Sequence, residues 1–329
     1  LDVAFDGPGM TLEGQGMILG NRVRRVAGGI ADFRDPRLVL DIEAPADGAS
    51  LQALMLASPL RARFEEHLRN ASIRGPAEVR LSLDLPLAAR LGGRRIDGTI
   101  DLAGARLSDP RWDIDLQEVN GRTRFSDRGF IADALDVEFE GEPARFTLMV
   151  GEDYTGDAAL AARACLVGAF PAQRLIARHP PLAWLDPWLV GRSTWTVAVD
   201  IPQSSPGAAA APSRLSINSD LVGTAVALPA PLAKPAEARW PLRLQAPLPL
   251  AGGEVRMQLG DTLRLRGRTG SDGAMGGLLL FGPGEEPPLP QQGLVALGRT
   301  ETLDAAGWIA FAAKGEGAGG LREVDLRVA

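Results

Sequence analysis

Ala77-Glu78-Val79-Arg80-Leu81-Ser82-Leu83-Asp84-Leu85 is the stretch that decides the fold: every odd position is apolar and every even one polar. Side chains of an extended strand point alternately to opposite faces, so this pattern builds a strand with one apolar and one solvated face. The pattern recurs along the chain. It is present in Trp112-Asp113-Ile114-Asp115-Leu116, in Leu135-Asp136-Val137-Glu138-Phe139 and in Trp195-Thr196-Val197-Ala198-Val199-Asp200-Ile201. Val255-Arg256-Met257-Gln258-Leu259, Leu263-Arg264-Leu265-Arg266 and the run from Val324 to Val328 continue it. Glycine pairs such as Asp97-Gly98, Asn120-Gly121 and Arg128-Gly129 read as turns between strands. An antiparallel sheet with one wet face is the expected product.

Composition supports many short strands. The 329 residues include 39 glycines and 25 prolines, about a fifth of the chain and above average usage. Aromatic residues make up 5% and the net charge is −6. Nucleic-acid binding calls for a basic stripe and stacking rings, so no nucleic-acid partner is expected. An anionic membrane surface is disfavoured on the same charge balance. The longest stretches without a charged residue, 48–60, 201–213 and 221–233, are thirteen residues each, too short to cross a bilayer as a helix. The chain begins at Leu1 with no signal peptide visible, so it reads as a segment whose export signal or anchor lies outside it.

Helical periodicity shows in two places. Leu60, Phe64 and Leu68 recur at helical spacing after Ser58 and Pro59, and Leu175, Ile176, Trp184, Leu185, Trp188 and Leu189 suggest short helices across 171–190. Segments 203–213 and 282–293 read as flexible surface loops, and the proline-rich stretch 229–249 permits only edge strands or extended connections. Two segments result: residues 1–165 with a helical insert near 50–70, and residues 166–329 with short helices near 171–190. Phe5-Asp6-Gly7-Pro8-Gly9-Met10 and Phe125-Ser126-Asp127-Arg128-Gly129-Phe130 repeat a strand end, a tight turn and a new strand.

Catalytic chemistry finds little to stand on. His67 beside Glu65 and Glu66 reads as a solvated helix face, and His179 precedes Pro180-Pro181 at a helix end. Gly14, Gly16 and Gly20 miss the spacing of a phosphate loop and read as turn glycines. Gly191-Arg192-Ser193-Thr194-Trp195 lacks the closing glycine of a nucleophile elbow. Asp113 with Asp115, and Glu138 with Glu140, share solvated strand faces. Cys165 reads as a small core residue. A non-enzyme without cofactor or metal is expected. Alternation alone leaves two readings open, an ordinary closed sandwich core and an open apolar groove.

Four ordered blocks resemble the central part of the YhdP family, large relatives of AsmA. They are Asp32-Phe33-Arg34-Asp35-Pro36 through Ser58-Pro59-Leu60 to Gly75-Pro76-Ala77; Asn120-Gly121-Arg122-Thr123-Arg124-Phe125 with Gly129-Phe130; Ser219-Asp220-Leu221-Val222-Gly223 with Leu228-Pro229-Ala230-Pro231-Leu232-Ala233-Lys234-Pro235; and Leu303-Asp304 with Trp308. The resemblance covers nearly the whole chain. It implies a mainly β fold, an elongated, curved antiparallel sheet forming an open hydrophobic groove, with a few short helices flanking it. It also implies a Gram-negative periplasmic location, an inner-membrane anchor outside this segment, and phospholipids as partners. A conduit for phospholipid between the two membranes, supporting the outer-membrane barrier, is the function implied. The candidate groove-lining residues are Val79, Leu81, Leu83, Leu85, Ile114, Leu116, Val137, Phe139, Val197 and Val199. A structural scaffold with envelope protein partners and no lipid passage is the alternative, and a carbohydrate-active β-protein is disfavoured by the scarcity of aromatics.

Overall fold

The computed structural model describes residues 1–18, 21–51, 72–110, 114–177, 180–203, 211–250, 252–270, 275–313 and 321–328. The helix expected over Leu60, Phe64 and Leu68, both histidines, Gly20, Asp113 and most of the 203–213 loop lie outside these residues. The chain divides into two compact units, Leu1–Ala164 and Cys165–Ala329.

The first unit contains β1 (Asp2–Phe5), β2 (Met10–Ile18), β3 (Asn21–Ile30), β4 (Arg37–Asp47), β5 (Ser72–Arg74), β6 (Pro76–Pro86), β7 (Arg95–Asp109), β8 (Ile114–Ser126), β9 (Gly129–Phe139) and β10 (Glu142–Val150). They pair antiparallel in the order β1-β2-β3-β4-β6-β7-β8-β9-β10. The short β5 lies on the same edge of β7 as β6, interrupted from it at Gly75. Antiparallel succession sends connections alternately to the two margins. Connections 6–9, 31–36, 87–94 and 127–128 share one margin, and 48–71 and 140–141 share the other.

Beyond β11 (Leu160–Pro171), which runs across the division, the second unit has β12 (Leu189–Pro202), β13 (Ser213–Ser219), β14 (Thr224–Val226), β15 (Leu242–Leu248), β16 (Glu254–Leu259), β17 (Leu263–Thr269), β18 (Met275–Phe281), β19 (Gly293–Thr300) and β20 (Leu321–Val328). Its order is β12-β13-β15-β16-β17-β18-β19-β20, with β14 on the edge of β12 beside β13. In neither unit, among the described residues, does strand pairing bring the last strand back onto the first. The chain is mainly β, with open mixed pairing.

Several expectations need correction. The sheet is not antiparallel throughout: β18–β19 and β19–β20 are parallel. Parallel neighbours need a crossover long enough to return the chain to its starting margin, and 282–292 supplies the first. That segment is no free loop, because Glu286 binds Arg264 at 2.9 Å and Arg266 at 3.4 Å, and Arg264 also donates to the carbonyl of Gly284 at 3.1 Å. The strand β15 is interior rather than an edge, pairing with both β13 and β16. Its Pro247 is tolerated because the β16 register covers only Leu242 to Gln245.

Two glycine turns are also not turns. Gly98 lies inside β7 beneath the ring of Phe125, and Asn120-Gly121 lies inside β8. Gly14 and Gly16 flank a register shift within β2 rather than a turn. Only Arg128-Gly129 closes a hairpin as read. Cys165 is half-buried in β11 rather than fully in a core. The repeat does correspond to repeated structure: each copy is a tight hairpin with an apolar cross-strand pair, Phe5 with Met10 and Phe125 with Phe130.

The blocks that carried the resemblance are joints of the fold. Phe33 donates its amide to the carbonyl of Pro8 and stacks its ring on Phe5. Asn120 holds an irregularity in the β7–β8 pairing, accepting from the Gly104 amide at 2.8 Å and donating to the carbonyl of Glu118, whose φ is 48°. Extra residues of this kind bend a strand and strengthen its twist. Lys234 is buried with its ammonium donating to the carbonyls of Leu221, Thr224 and Pro235 at 2.7 to 2.9 Å. Trp308, on the helix Ala305–Ala313 that sequence periodicity did not reveal, donates its indole N–H to Ala230. Its neighbour Phe311 sits at the centre of edge-on contacts with Trp184, Trp188 and Trp308.

Candidate functional site

Residues directly opposite in paired strands share a face, so the registers decide whether the apolar positions line up. They do. In the first unit one row crosses eight strands from β2 to β10: Gly14, Val26, Ile42, Leu81, Gly98, Phe125, Phe130 and Val150. At the usual spacing of about 4.8 Å between strands, that row is roughly 34 Å wide. Neighbouring rows include Leu40-Leu83-Ile96 and Ala44-Val79-Ile100. In the second unit Val197, Ile217, Leu244, Met257, Leu265, Leu279 and Ala296 form a row over seven strands.

Burial divides the apolar face of the first unit. Leu51, at the start of the 48–71 connection, packs with Ala77, Val79 and Ile100, and Leu81, Phe125 and Phe130 border that cluster. Leu38, Leu40, Ile42, Leu83, Leu85 and Ile96 are only half-buried. Cover is therefore present toward the margin that carries the insertion and thins toward the opposite one. Of the ten candidate lining residues, Val79, Leu116, Val137 and Phe139 are fully buried, and Leu116 is 1% exposed. Packed in this way they offer a ligand no surface. Leu81, Leu83, Leu85, Ile114, Val197 and Val199 are half-buried and keep some. Val79, Leu81, Leu83 and Leu85 share one strand face, Leu116 lies directly opposite Phe139, and Val197 and Val199 stand opposite Ile217 and Leu215. Sequence reading missed Leu38, Leu40 and Ile42, whose alternation was blurred by Val39 between them.

The opposite face is wet and charge-balanced. Asp101 accepts from Arg122 at 2.6 Å and from Arg80 at 3.1 Å, and the Arg122 hydrogen bond first of all holds its carboxyl below the ordinary range. Arg37 binds Asp84, Arg106 binds Asp115, and Arg24 binds Glu78. In the second unit Glu254 accepts from Arg266 and Arg256, both at 2.8 Å, and its pKa is pulled down to about 2, chiefly by the Arg266 hydrogen bond. Exposed pairs of this kind add little stability each, about 0–1 kcal/mol; their ordered arrangement keeps charge off the apolar face. Polar recesses of about 370 and 290 Å³ are lined chiefly by residues such as Arg106, Asp115, Thr196 and Arg243, not by the apolar rows. No helix among the described residues is long and apolar enough to cross a membrane.

A two-faced sheet of this kind can hold aliphatic chains along one side and stand in water on the other. Among the described residues, Ser193 is buried, with its hydroxyl 2.5 Å from that of Thr224. Comparison with known proteins gives a family and one relative. A family model described as YhdP protein matches residues 1–328. The protein named intermembrane phospholipid transporter YhdP, of Escherichia coli (strain K12), is 24% identical over 332 residues, covering 96% of this chain and 24% of the relative. The chain thus spans about a quarter of the length of the curated relative it matches. No solved structure gives a significant match.

Proposed function

The chain belongs to the YhdP family, and from that premise we propose that its apolar face is a binding track for phospholipid acyl chains in the periplasm of a Gram-negative cell. The observation that carries this reading is the patch of half-buried aliphatic side chains, Leu38, Leu40, Ile42, Leu83, Leu85 and Ile96, on one face of three neighbouring strands with no charged residue among them. Acyl chains need continuous apolar contact and no specific hydrogen bond. Two chains of about sixteen carbons represent on the order of 25 kcal/mol of exposure to water, at about 0.8 kcal/mol per methylene. A protein moving such a molecule through water has to shield most of that surface along the whole path. The family relationship supports a non-enzymatic role and service to the outer-membrane barrier, with the membrane anchor supplied elsewhere in a longer protein.

Native mass spectrometry with lipid extraction, on the chain purified from a bacterial host, tests this reading. Co-purifying phospholipid is expected. A lipid-free chain that also takes up no phospholipid from vesicles would refute the track and leave an envelope scaffold with protein partners as the better account.

A further inference from the structure

We propose that a recess on the polar face of the first unit, formed by Ser72, Arg74, Arg106, Ser108 and Asp115, binds a phosphate group. It is open to solvent on one side and has a volume of about 370 Å³. The strand β5 sets Ser72 opposite Ser108 of β7 and Arg74 opposite Arg106, and β8 sets Asp115 opposite Ser108. Two arginines thus stand at directly opposed positions on neighbouring strands, where like charges repel.

The one carboxylate in the recess cannot serve both. Asp115 is engaged by Arg106 through two parallel bonds, Nε to Oδ1 at 2.7 Å and Nη2 to Oδ2 at 2.6 Å, and it also accepts from Gln117 at 3.3 Å. The Arg106 bond holds the Asp115 carboxyl below its ordinary range, so it remains an anion committed to that partner. Among the described residues, the Arg74 guanidinium and the hydroxyls of Ser72 and Ser108 have no hydrogen-bond or ion-pair partner, and Arg106 keeps its Nη1 free.

The recess therefore presents one unmatched positive charge and donors from four side chains. A carboxylate has two acceptor oxygens, whereas a phosphate group has three or four and suits the planar fork of arginine. The volume also leaves room for an organic substituent on the phosphate. Because the recess faces away from the apolar rows, it stands whether or not those rows carry lipid.

The test is thermal melting and calorimetric titration of the full chain and of Arg74→Gln, with inorganic phosphate and with glycerol 3-phosphate, against chloride at equal ionic strength. The parent is expected to melt higher in phosphate, and the variant to bind at least tenfold more weakly. In chloride alone the variant is expected to melt no lower than the parent, since the opposed like charges are gone. A purely structural role for Arg74 would lower it. Tighter binding of glycerol 3-phosphate assigns the site to a lipid headgroup, and equal or weaker binding assigns it to free phosphate. A parent that melts alike in phosphate and chloride, or a variant that keeps the parent's shift, would overturn the proposal.

Discussion

Replacing Leu83 with aspartate places one charge on the apolar face at a point where cover is thin. Leu83 stands between Leu40 and Ile96 and is half-buried. The fold loses only part of a leucine's burial, about 1–2 kcal/mol. The same change at Val79, 7% exposed within the Leu51 cluster, would bury an unpaired carboxylate and cost about 3–5 kcal/mol. A bound acyl chain would lose the contact of three or four carbon groups at Leu83, about 2–3 kcal/mol. Desolvating the carboxylate against hydrocarbon adds to this. Affinity for phospholipid should therefore fall about 100-fold while the chain stays folded. The matched control is Ser82→Lys, one residue away on the opposite face, where Asp41 and Asp97 stand across from it. Equilibrium binding of a fluorescent phospholipid, with circular dichroism to confirm folding, reads the difference. Parent-like affinity in folded Leu83→Asp, or equal losses in both variants, would refute the assignment of this face.

Three further outcomes follow from local geometry. Gly98→Val should destabilise the first unit by about 2–3 kcal/mol, because a Cβ there would meet the Phe125 ring and lie 2.7 Å from the carbonyl oxygen of Arg80; the thermal midpoint checks it. Lys234→Met should cost about 3 kcal/mol by leaving the carbonyls of Leu221, Thr224 and Pro235 without their donor, and hydrogen exchange should rise first around 221–236. Glu254, with a pKa of about 2 in the fold against 4.5 ordinarily, contributes stability that is present above pH 4.5. That contribution is lost as the pH falls toward 2. Allowing for the quarter of its side chain that is exposed, it amounts to about 2 kcal/mol. Urea midpoints at pH 6 and pH 2.5 should therefore converge in Glu254→Gln relative to the parent.

Much of the fold was legible in residues 77–85 and their counterparts. Side-chain direction in a strand is set by the backbone of that strand alone, so alternation revealed the two faces without knowledge of any partner. The hairpins at Phe5 and Phe125 were legible for the same reason, since a turn and its flanking pair are close in sequence. The helix Ala305–Ala313 was not, because its sequence, AAGWIAFAA, is apolar almost all round and shows no stripe. Gly98 and Gly121 imitated turns: a missing Cβ leaves the same mark whether it permits a bend or makes room for a neighbouring side chain, here Phe125 and Leu135. The final strands were read as antiparallel because the direction of a neighbour is decided by where a crossover returns the chain.

By itself, then, the amino-acid order determined the secondary-structure class, the two-faced character of the strands and the resemblance to a family, all of which rest on residues near one another in the chain. Only the tertiary structure decided which apolar residues are available to a ligand. Val79 and Leu83 are indistinguishable in the alternating pattern, yet Leu51, 28 residues before Val79, covers the first and leaves the second half-open. Exposure is set by contacts between distant segments, which local periodicity does not encode.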